Sequence, residues 1–303
     1  MDNILITGAT GFLGSNFIKI NSQNYNNVFA ITRGEASKIK NISYCKLDIT
    51  NTLEVNEFIK ENSIDIVLHF AFDHTYNNNI NMVKSISKAA IYNNIKKNIL
   101  ISSISVLKIN NNKIDLLYNK KNDPYSFTKR KVEKTFLRIN KKYKNIKIIY
   151  PTIVYGAGGN WNKFINKCLN SESFSLPMKG DVKCNFIYID DFSKKLQEEI
   201  YTNTLRKIVG GTNGKWIDLY NLLNINDTSL VISQTRNLYH NNALLNLVFT
   251  IWQKTKLGLI ANSFLRIYLK YKKPKKTLSP NIKSIHTSPI FTNREIHSSN
   301  FNI

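Results

Sequence analysis

The chain has 303 residues, 42% hydrophobic and 21% charged, which is enough to bury one large α/β core and too apolar for a disordered chain. Its formal net charge of +23 suits nucleic acid, an anionic lipid surface or a phosphorylated small molecule, and equally suits a general over-use of Lys, Asn and Ile. The lysines are scattered (Lys96, Lys97, Lys120, Lys121, Lys141, Lys142) and no recognition motif accompanies them, so general over-use is favoured and nucleic acid is not an expected partner. Cys45, Cys168 and Cys184 are odd in number with no CxxC spacing. His69, His74, His240, His286 and His297 form no HExxH-like group, so neither a disulfide framework nor a metal site is expected.

Asn3 to Thr7 (NILIT) reads as a buried first strand. It starts so near Met1 that no room for a signal peptide is expected. No apolar run approaches the roughly 18 residues of a spanning helix, which points to a cytoplasmic protein. The strand runs into Gly8-Ala9-Thr10-Gly11-Phe12-Leu13-Gly14 and then a helical pattern with Phe12, Leu13, Phe17, Ile18 and Ile20 as buried positions. At such a junction Gly8 permits the tight turn, Gly11 lets backbone approach a pyrophosphate, and Gly14 lets the helix lie close on the sheet. The helix N-terminus adds free N–H groups and partial positive charge for the phosphates.

Strands are then expected at Asn27–Thr32, Ile42–Leu47, Asp65–Ala71 and Asn98–Ile104, with helices at Leu53–Glu61 and Ile80–Asn93. That alternation predicts an α/β fold, a Rossmann-type doubly wound parallel sheet. The second strand ends in Thr32-Arg33-Gly34, where an NAD-selective site usually has an acid. Arg33 suits a 2′-phosphate and tilts the expected cofactor, NAD(P), toward NADP, with Glu35 close enough to weigh against it. Asp48 is placed either to bond the adenine amino group or to cap the helix near Leu53.

Tyr125-Ser126-Phe127-Thr128-Lys129 sets Tyr and Lys four apart, behind Asp123-Pro124 as a helix start and ahead of an apolar stripe at Val132, Phe136, Leu137 and Ile139. Positions i and i+4 share a helix face, so phenol and ammonium converge on one ligand. A phenol is a poor base at neutral pH. A nearby ammonium and a nicotinamide cation favour the phenolate, which can exchange a proton with a substrate hydroxyl while nicotinamide exchanges hydride. Ser102-Ser103, at the C-terminal end of the strand from Asn98, supplies a hydroxyl where ligands sit in such sheets.

TGATGFLG, HFA, SSISV, YSFTK, PTIVYG and FIYIDD occur in the order shown by extended short-chain dehydrogenases, and over about residues 1–225 the chain resembles the NAD-dependent epimerase/dehydratase family. The resemblance implies Ser103, Tyr125 and Lys129 as the catalytic set and Gly8, Gly11 and Gly14 as the phosphate loop. Thr10, Phe12, Leu13, Arg33, Asp48, Ile49, Phe70, Ala71 and Lys129 complete the expected cofactor contacts. Two departures stand out. Ile104-Ser105 replace the Asp-Glu pair that dehydratases commonly carry after the catalytic hydroxyl, which disfavours dehydration. Cys184 aligns with an arginine that often grips a nucleotide-sugar pyrophosphate, leaving Lys183 as a point-charge substitute. Asn160 is the other expected substrate contact, with a simple turn residue as its competing reading. Asp190-Asp191 is read as a structural pair capping a helix from Phe192 to Ile200.

A Rossmann domain over 1–155 and a smaller substrate lobe over 156–303 are expected, with 181–200 returning to the core and 277–303 loosely ordered. The apolar stretch 244–276, ending in a Lys-rich run, suits ordinary core helices or peripheral contact with an anionic membrane's inner face. The functions the resemblance implies are a nucleotide-sugar 4-epimerase or 4-ketoreductase of surface-polysaccharide synthesis, as a homodimer or alone. Its alternatives are a dehydrogenase of a sterol or lipid-linked sugar and a catalytically silent NAD(P)-binding module.

Overall fold

The computed structural model describes residues 1–34, 37–39, 41–110, 113–118, 124–162 and 183–223. In chain order the strands are β1 (Asn3–Thr7), β2 (Asn27–Thr32), β3 (Ser37–Ile39), β4 (Ile42–Lys46), β5 (Ile66–His69), β6 (Lys97–Ile101), β7 (Leu107–Asn110), β8 (Lys113–Tyr118), β9 (Ile146–Pro151), β10 (Ile153–Tyr155), β11 (Lys183–Tyr188), β12 (Arg206–Val209) and β13 (Thr212–Lys215). The helices are α1 (Phe12–Asn21), α2 (Thr52–Glu61), α3 (Tyr76–Tyr92), α4 (Pro124–Ile139), α5 (Ile189–Ile200) and α6 (Trp216–Leu223).

The main sheet has the order β12-β9-β6-β5-β1-β2-β4-β3, and every pairing in it is parallel except β3 with β4. Both faces are covered. On β1, Ile4 and Ile6 pack in one apolar cluster with Phe17, Phe192 and Leu196 of α1 and α5. Leu5 packs in another with Val55, Ile59 and Ile86 of α2 and α3. An unbroken apolar run, rather than an alternating one, is what such two-sided burial requires. A third cluster, with Phe136, Tyr150, Cys184, Phe186 and Trp216, joins α4 and β9 to the smaller β10-β11-β13 sheet.

The expected strands and helices are present, with ends shifted by a few residues. The largest shift is α3, which starts at Tyr76 rather than Ile80. The strand expected at Asn98–Ile104 stops at Ile101, and Ile104–Val106 form a 3-10 turn that Ser103 opens. The β7–β8 hairpin and the short antiparallel β3 were not foreseen. Asp190 and Asp191 lie inside the first turn of α5, whose preceding residue is Tyr188, so they meet the helix's positive end as first-turn charges and not as caps. Among the described residues no helix is long and apolar enough to cross a membrane. The stretch 244–276, the tail 277–303, Cys168 and the last three histidines lie outside the described residues.

After β1 the chain builds outward through β2 and β4, then crosses back to place β5 on the other side of β1. Ligands in doubly wound sheets bind at the C-terminal strand ends beside such a reversal.

Candidate active site

A cavity of about 910 Å³ opens at that reversal. One wall is the β1–α1 turn. Gly8 has φ +68, and a Cβ there would stand 2.7 Å from the Ala71 backbone nitrogen, while a Cβ on Gly14 would collide with the Gly8 carbonyl. Side chains are excluded on both counts, so backbone can close on a ligand where a side chain would obstruct it. Gly11 donates its N–H to the Gly8 carbonyl at 3.0 Å and precedes α1, whose first N–H groups face the cavity end of the helix. All the expected members of this wall, Gly8, Thr10, Gly11, Phe12, Leu13 and Gly14, line the cavity. A pyrophosphate needs a cradle of unencumbered N–H groups, and this turn has one.

The loop after β5 forms the floor. Thr7 Oγ1 and His69 Nδ1 are 2.7 Å apart across the β1–β5 pair, and the Ala71 N–H donates to the same hydroxyl at 3.3 Å. Burial, with the Lys129 charge added, pushes the His69 pKa down to about 3, so this imidazole is neutral and fastens two strand ends. Phe70 and Ala71 line the cavity as expected, and Phe72, Asp73 and His74 of the same loop line it as well. Ile49 and Asp48 line it with Arg33. Asp48 accepts from the Thr50 N–H and hydroxyl at 2.9 and 2.8 Å. The cap of α2 is Asn51, which accepts from the Leu53 N–H at 3.1 Å, so the capping alternative for Asp48 falls away. Arg33, expected to suit a 2′-phosphate, is almost fully exposed and lies 3.5 Å from the Asp73 carboxylate.

Ser103, Tyr125 and Lys129 line the opposite wall. Tyr125 and Lys129 occupy successive turns of α4, as their spacing predicts. Lys129 Nζ donates to the Ile101 carbonyl at 3.1 Å and sits 4.6 Å from the centre of the Phe72 ring. That ring also meets Tyr125 edge-on, with centroids 5.2 Å apart. The lysine is 7% exposed, and burial pushes its pKa down to about 8. The two serines after β6 have separate jobs. Ser102 donates its hydroxyl to Glu133 Oε2 at 3.0 Å, inside the core, while Ser103 pairs with the Ser105 hydroxyl at 3.0 Å beside the cavity.

Glu133, one turn beyond Lys129, is fully buried. It also accepts from the Tyr150 hydroxyl at 2.7 Å and stands 3.7 Å from the Arg206 guanidinium. This network pins α4 to the ends of β6, β9 and β12, and so fixes the helix that carries Tyr125 and Lys129 relative to Ser103. Neither Glu133 nor Phe72, Asp73 or Ser105 was foreseen as part of the site. SSISV holds Ser105 and the motif HFA stops just short of Phe72, but their contacts depend on packing between elements distant in sequence.

At the substrate end Asn160 and Trp161 line the cavity, with Asn160 exposed and Trp161 packed on Trp216 at 5.5 Å. The neighbouring Asn162 accepts from the Gly156 N–H at 2.8 Å and shapes the turn instead. Cys184 is not brought to the cavity. It is 3% exposed in the core beside Phe186 and Trp216, and burial, with the Asp218 charge added, pushes its thiol up to about 12. Lys183 begins β11 opposite Lys215, and its side chain lies outside the described residues.

Residues 4–196 match the model of the NAD dependent epimerase/dehydratase family. The chain belongs to this family. Among solved structures, the dTDP-glucose 4,6-dehydratase of Bacillus anthracis, in complex with NAD, superposes with a TM-score of 0.63 at 19% identity, over 90% of this chain and 98% of that one. The UDP-glucuronic acid 4-epimerase of Bacillus cereus, in complex with UDP-glucuronic acid and NAD, gives 0.60 at 22% identity over 74% and 82%. The UDP-glucose 4-epimerase of Thermotoga maritima, with UDP-glucose, gives 0.60 at 18% over 77% and 86%. At these identities the superpositions establish a shared Rossmann fold.

Proposed function

We propose that the protein is an NAD(P)-dependent 4-epimerase or 4-ketoreductase of nucleotide sugars. The observation carrying this reading is that Ser103, Tyr125 and Lys129 line one cavity with the glycine turn Gly8–Gly14. The family membership and the ligands named for the epimerases of Bacillus cereus and Thermotoga maritima support the substrate class.

The glycine turn and the α1 N-terminus would hold the dinucleotide's pyrophosphate, with Phe70 and Ala71 beneath it. When bound, the nicotinamide supplies the hydride acceptor and donor. Tyr125 takes the proton from the substrate hydroxyl oxygen and returns it, and the Lys129 ammonium favours the phenolate that can do so. Ser103 donates to the same oxygen and orients it. Asn160 contacts the sugar at the cavity mouth.

Elimination of water needs a carboxylic acid and a carboxylate beside the reacting sugar. Here Ile104 is buried and Ser105 presents a hydroxyl. The two carboxylates lining the cavity among the described residues, Asp48 and Asp73, are engaged elsewhere, Asp48 by Thr50 and Asp73 beside Arg33. Reversible oxidation at one carbinol is therefore favoured over dehydration.

Incubation of the purified protein with UDP- and dTDP-linked hexoses, following isomer ratio and the absorbance of reduced nicotinamide, tests the reading. Interconversion of isomers identifies an epimerase, and net consumption of reduced cofactor identifies a ketoreductase. If neither changes, or if Tyr125→Phe leaves turnover intact, the reading is wrong.

A further inference from the structure

The parallel strands give the molecule two unlike ends. Their C-terminal ends hold the cavity, while their N-terminal ends form the opposite face with the last turns of α3, α4 and α5. That face is continuous. Lys96 Nζ lies 2.7 Å from Asp2 and 3.1 Å from Asp65, and Lys97 Nζ donates to Asn203 Oδ1 at 3.2 Å. The Tyr201 hydroxyl donates to Asp2 Oδ2 at 3.3 Å, and the Leu205 carbonyl accepts from the Ile148 N–H at 2.8 Å. Four of the eight exposed large hydrophobic side chains among the described residues stand here: Ile91 and Tyr92 ending α3, Tyr201 after α5 and Leu205 before β12. Tyr92 is 78% exposed. Apolar exposure gathered at one end, rather than scattered singly, marks a contact surface.

The same end is basic. Lys97 opens β6, Arg138 lies in the last turn of α4, and Lys141, Lys142 and Lys144 occupy the turn into β9. Among the described residues no acid pairs with any of these five. Asp2 and Asp65 are held by Lys96, and Glu199 by Lys147 and Lys207, which leaves Glu61 and Glu198 as the exposed acids at the ends of α2 and α5. We propose that this face docks on an anionic lipid bilayer, with the lysines at the lipid phosphates and the tyrosine and aliphatic side chains in the headgroup region. Charge complementarity selects this occupant. Residues 224–303 carry eleven Lys or Arg against Asp227 and Glu295, so the rest of the chain offers the face no negative charge. A second copy meeting it face to face would set like charges together. Nucleic acid would satisfy the lysines, but a phosphate backbone gives Ile91 and Leu205 nothing to pack on. The interfacial layer of a bilayer takes aliphatic side chains, tyrosines and lysines at once. Docked in this way, the protein turns its cavity away from the bilayer by the length of the strands, roughly 15 Å for five residues. The cavity then opens to water, as a soluble substrate requires. The proposal does not depend on what the cavity binds.

The test is flotation of the full chain with vesicles of phosphatidylcholine alone, and of phosphatidylcholine with about a third phosphatidylglycerol, at about 0.1 M salt. Binding should need the anionic lipid and weaken as salt rises. Each basic group near such a surface contributes about fivefold, so Lys141→Gln, Lys142→Gln and Lys144→Gln together should lower affinity roughly 100-fold. Lys272→Gln, Lys273→Gln and Lys275→Gln remove the same charge from the C-terminal run and should cost much less. Tyr92→Ser with Leu205→Ser should weaken vesicle binding about tenfold and leave binding of a single-stranded RNA oligomer unchanged. The wild-type comparison stands however the variants fold. Equal binding to both vesicles overturns the proposal, as does a loss in the C-terminal variant as large as in the Lys141 set. Unchanged vesicle affinity in the Tyr92 and Leu205 variant, or tighter binding of RNA than of anionic vesicles, overturns it as well.

Discussion

Around Gly8–Gly14 the protein faces its cavity with backbone, whereas around Ser103, Asn160 and Trp161 it faces it with side chains. The first wall tolerates no Cβ at Gly8 or Gly14, so at those two positions sterics dictate the residue type. The second wall is set by which side chains are carried, with Ser103 followed by Ile104-Ser105 and Asn160 and Trp161 at its far end. A backbone cradle can be shared across a family while the side-chain wall changes what is done there.

The sharpest break between the walls lies at Tyr125 and Lys129. Tyr125→Phe should leave dinucleotide binding in place and lower turnover by about 10²–10⁴-fold, the usual worth of a positioned acid–base group. Lys129→Met should lower turnover comparably while stabilising the fold at neutral pH. The folded-state pKa of Lys129 is depressed from 10.5 to about 8, so the folded protein binds fewer protons than the unfolded chain between those values. Stability therefore rises with pH across that window. Below about pH 8 the folded wild type carries the full cost of a buried charge, on the order of 3 kcal/mol. The gain in thermal midpoint from Lys129→Met should be largest below pH 8 and vanish near pH 10.5, less the small loss of the bond to Ile101. Wild-type kcat/KM should fall above about pH 8, as the ammonium that favours the phenolate is lost. A midpoint difference that does not vary with pH would show that the lysine is not buried as described.

Glu133→Ala tests how the side-chain wall is held. Removing a fully buried carboxylate that serves Ser102, Tyr150 and Arg206 should cost about 3–5 kcal/mol in chemical denaturation. Cys184→Arg should cost about 3 kcal/mol, because it forces a larger, charged side chain among Phe186 and Trp216. The dinucleotide affinity of the molecules that remain folded should not improve in either variant. A Cys184→Arg protein of undiminished stability that binds nucleotide sugar more tightly would place that position at the cavity after all.

The sequence made the sheet legible because two-sided burial leaves unbroken apolar runs such as NILIT and DIVLH. It made the glycine turn legible because sterics leave no alternative there. The Tyr125–Lys129 pairing followed from helical spacing alone. The β7–β8 hairpin was missed although Asn110-Asn111-Asn112 stands between two apolar stretches as a turn signal. Ser102 and Ser103 could not be told apart until Glu133 was seen to accept from one of them. The approach of Asp73 to Arg33 could not be foreseen, because the two lie 40 residues apart on loops after different strands. What stayed hidden was in each case a contact between side chains from separate elements, which periodicity does not encode.

The smallest expected effect concerns Ser105, where the family's dehydratases commonly carry an acid. Its hydroxyl lies 3.0 Å from that of Ser103, and its N–H donates to Ser103 Oγ at 3.3 Å. A serine hydroxyl has one proton and two acceptor directions. When the Ser105 hydroxyl donates alongside the backbone N–H, both acceptor directions of Ser103 Oγ are filled and its proton is left to point into the cavity, toward a substrate oxygen. Ser105→Ala removes one of these two constraints and should lower kcat about three- to tenfold with little change in KM, since the loss falls on orientation at the reacting oxygen. Ser105→Thr keeps the hydroxyl and should restore most of the rate. A rise in KM at constant kcat would mean instead that Ser105 holds the substrate directly, and the side-chain wall would then extend one residue further than Ser103.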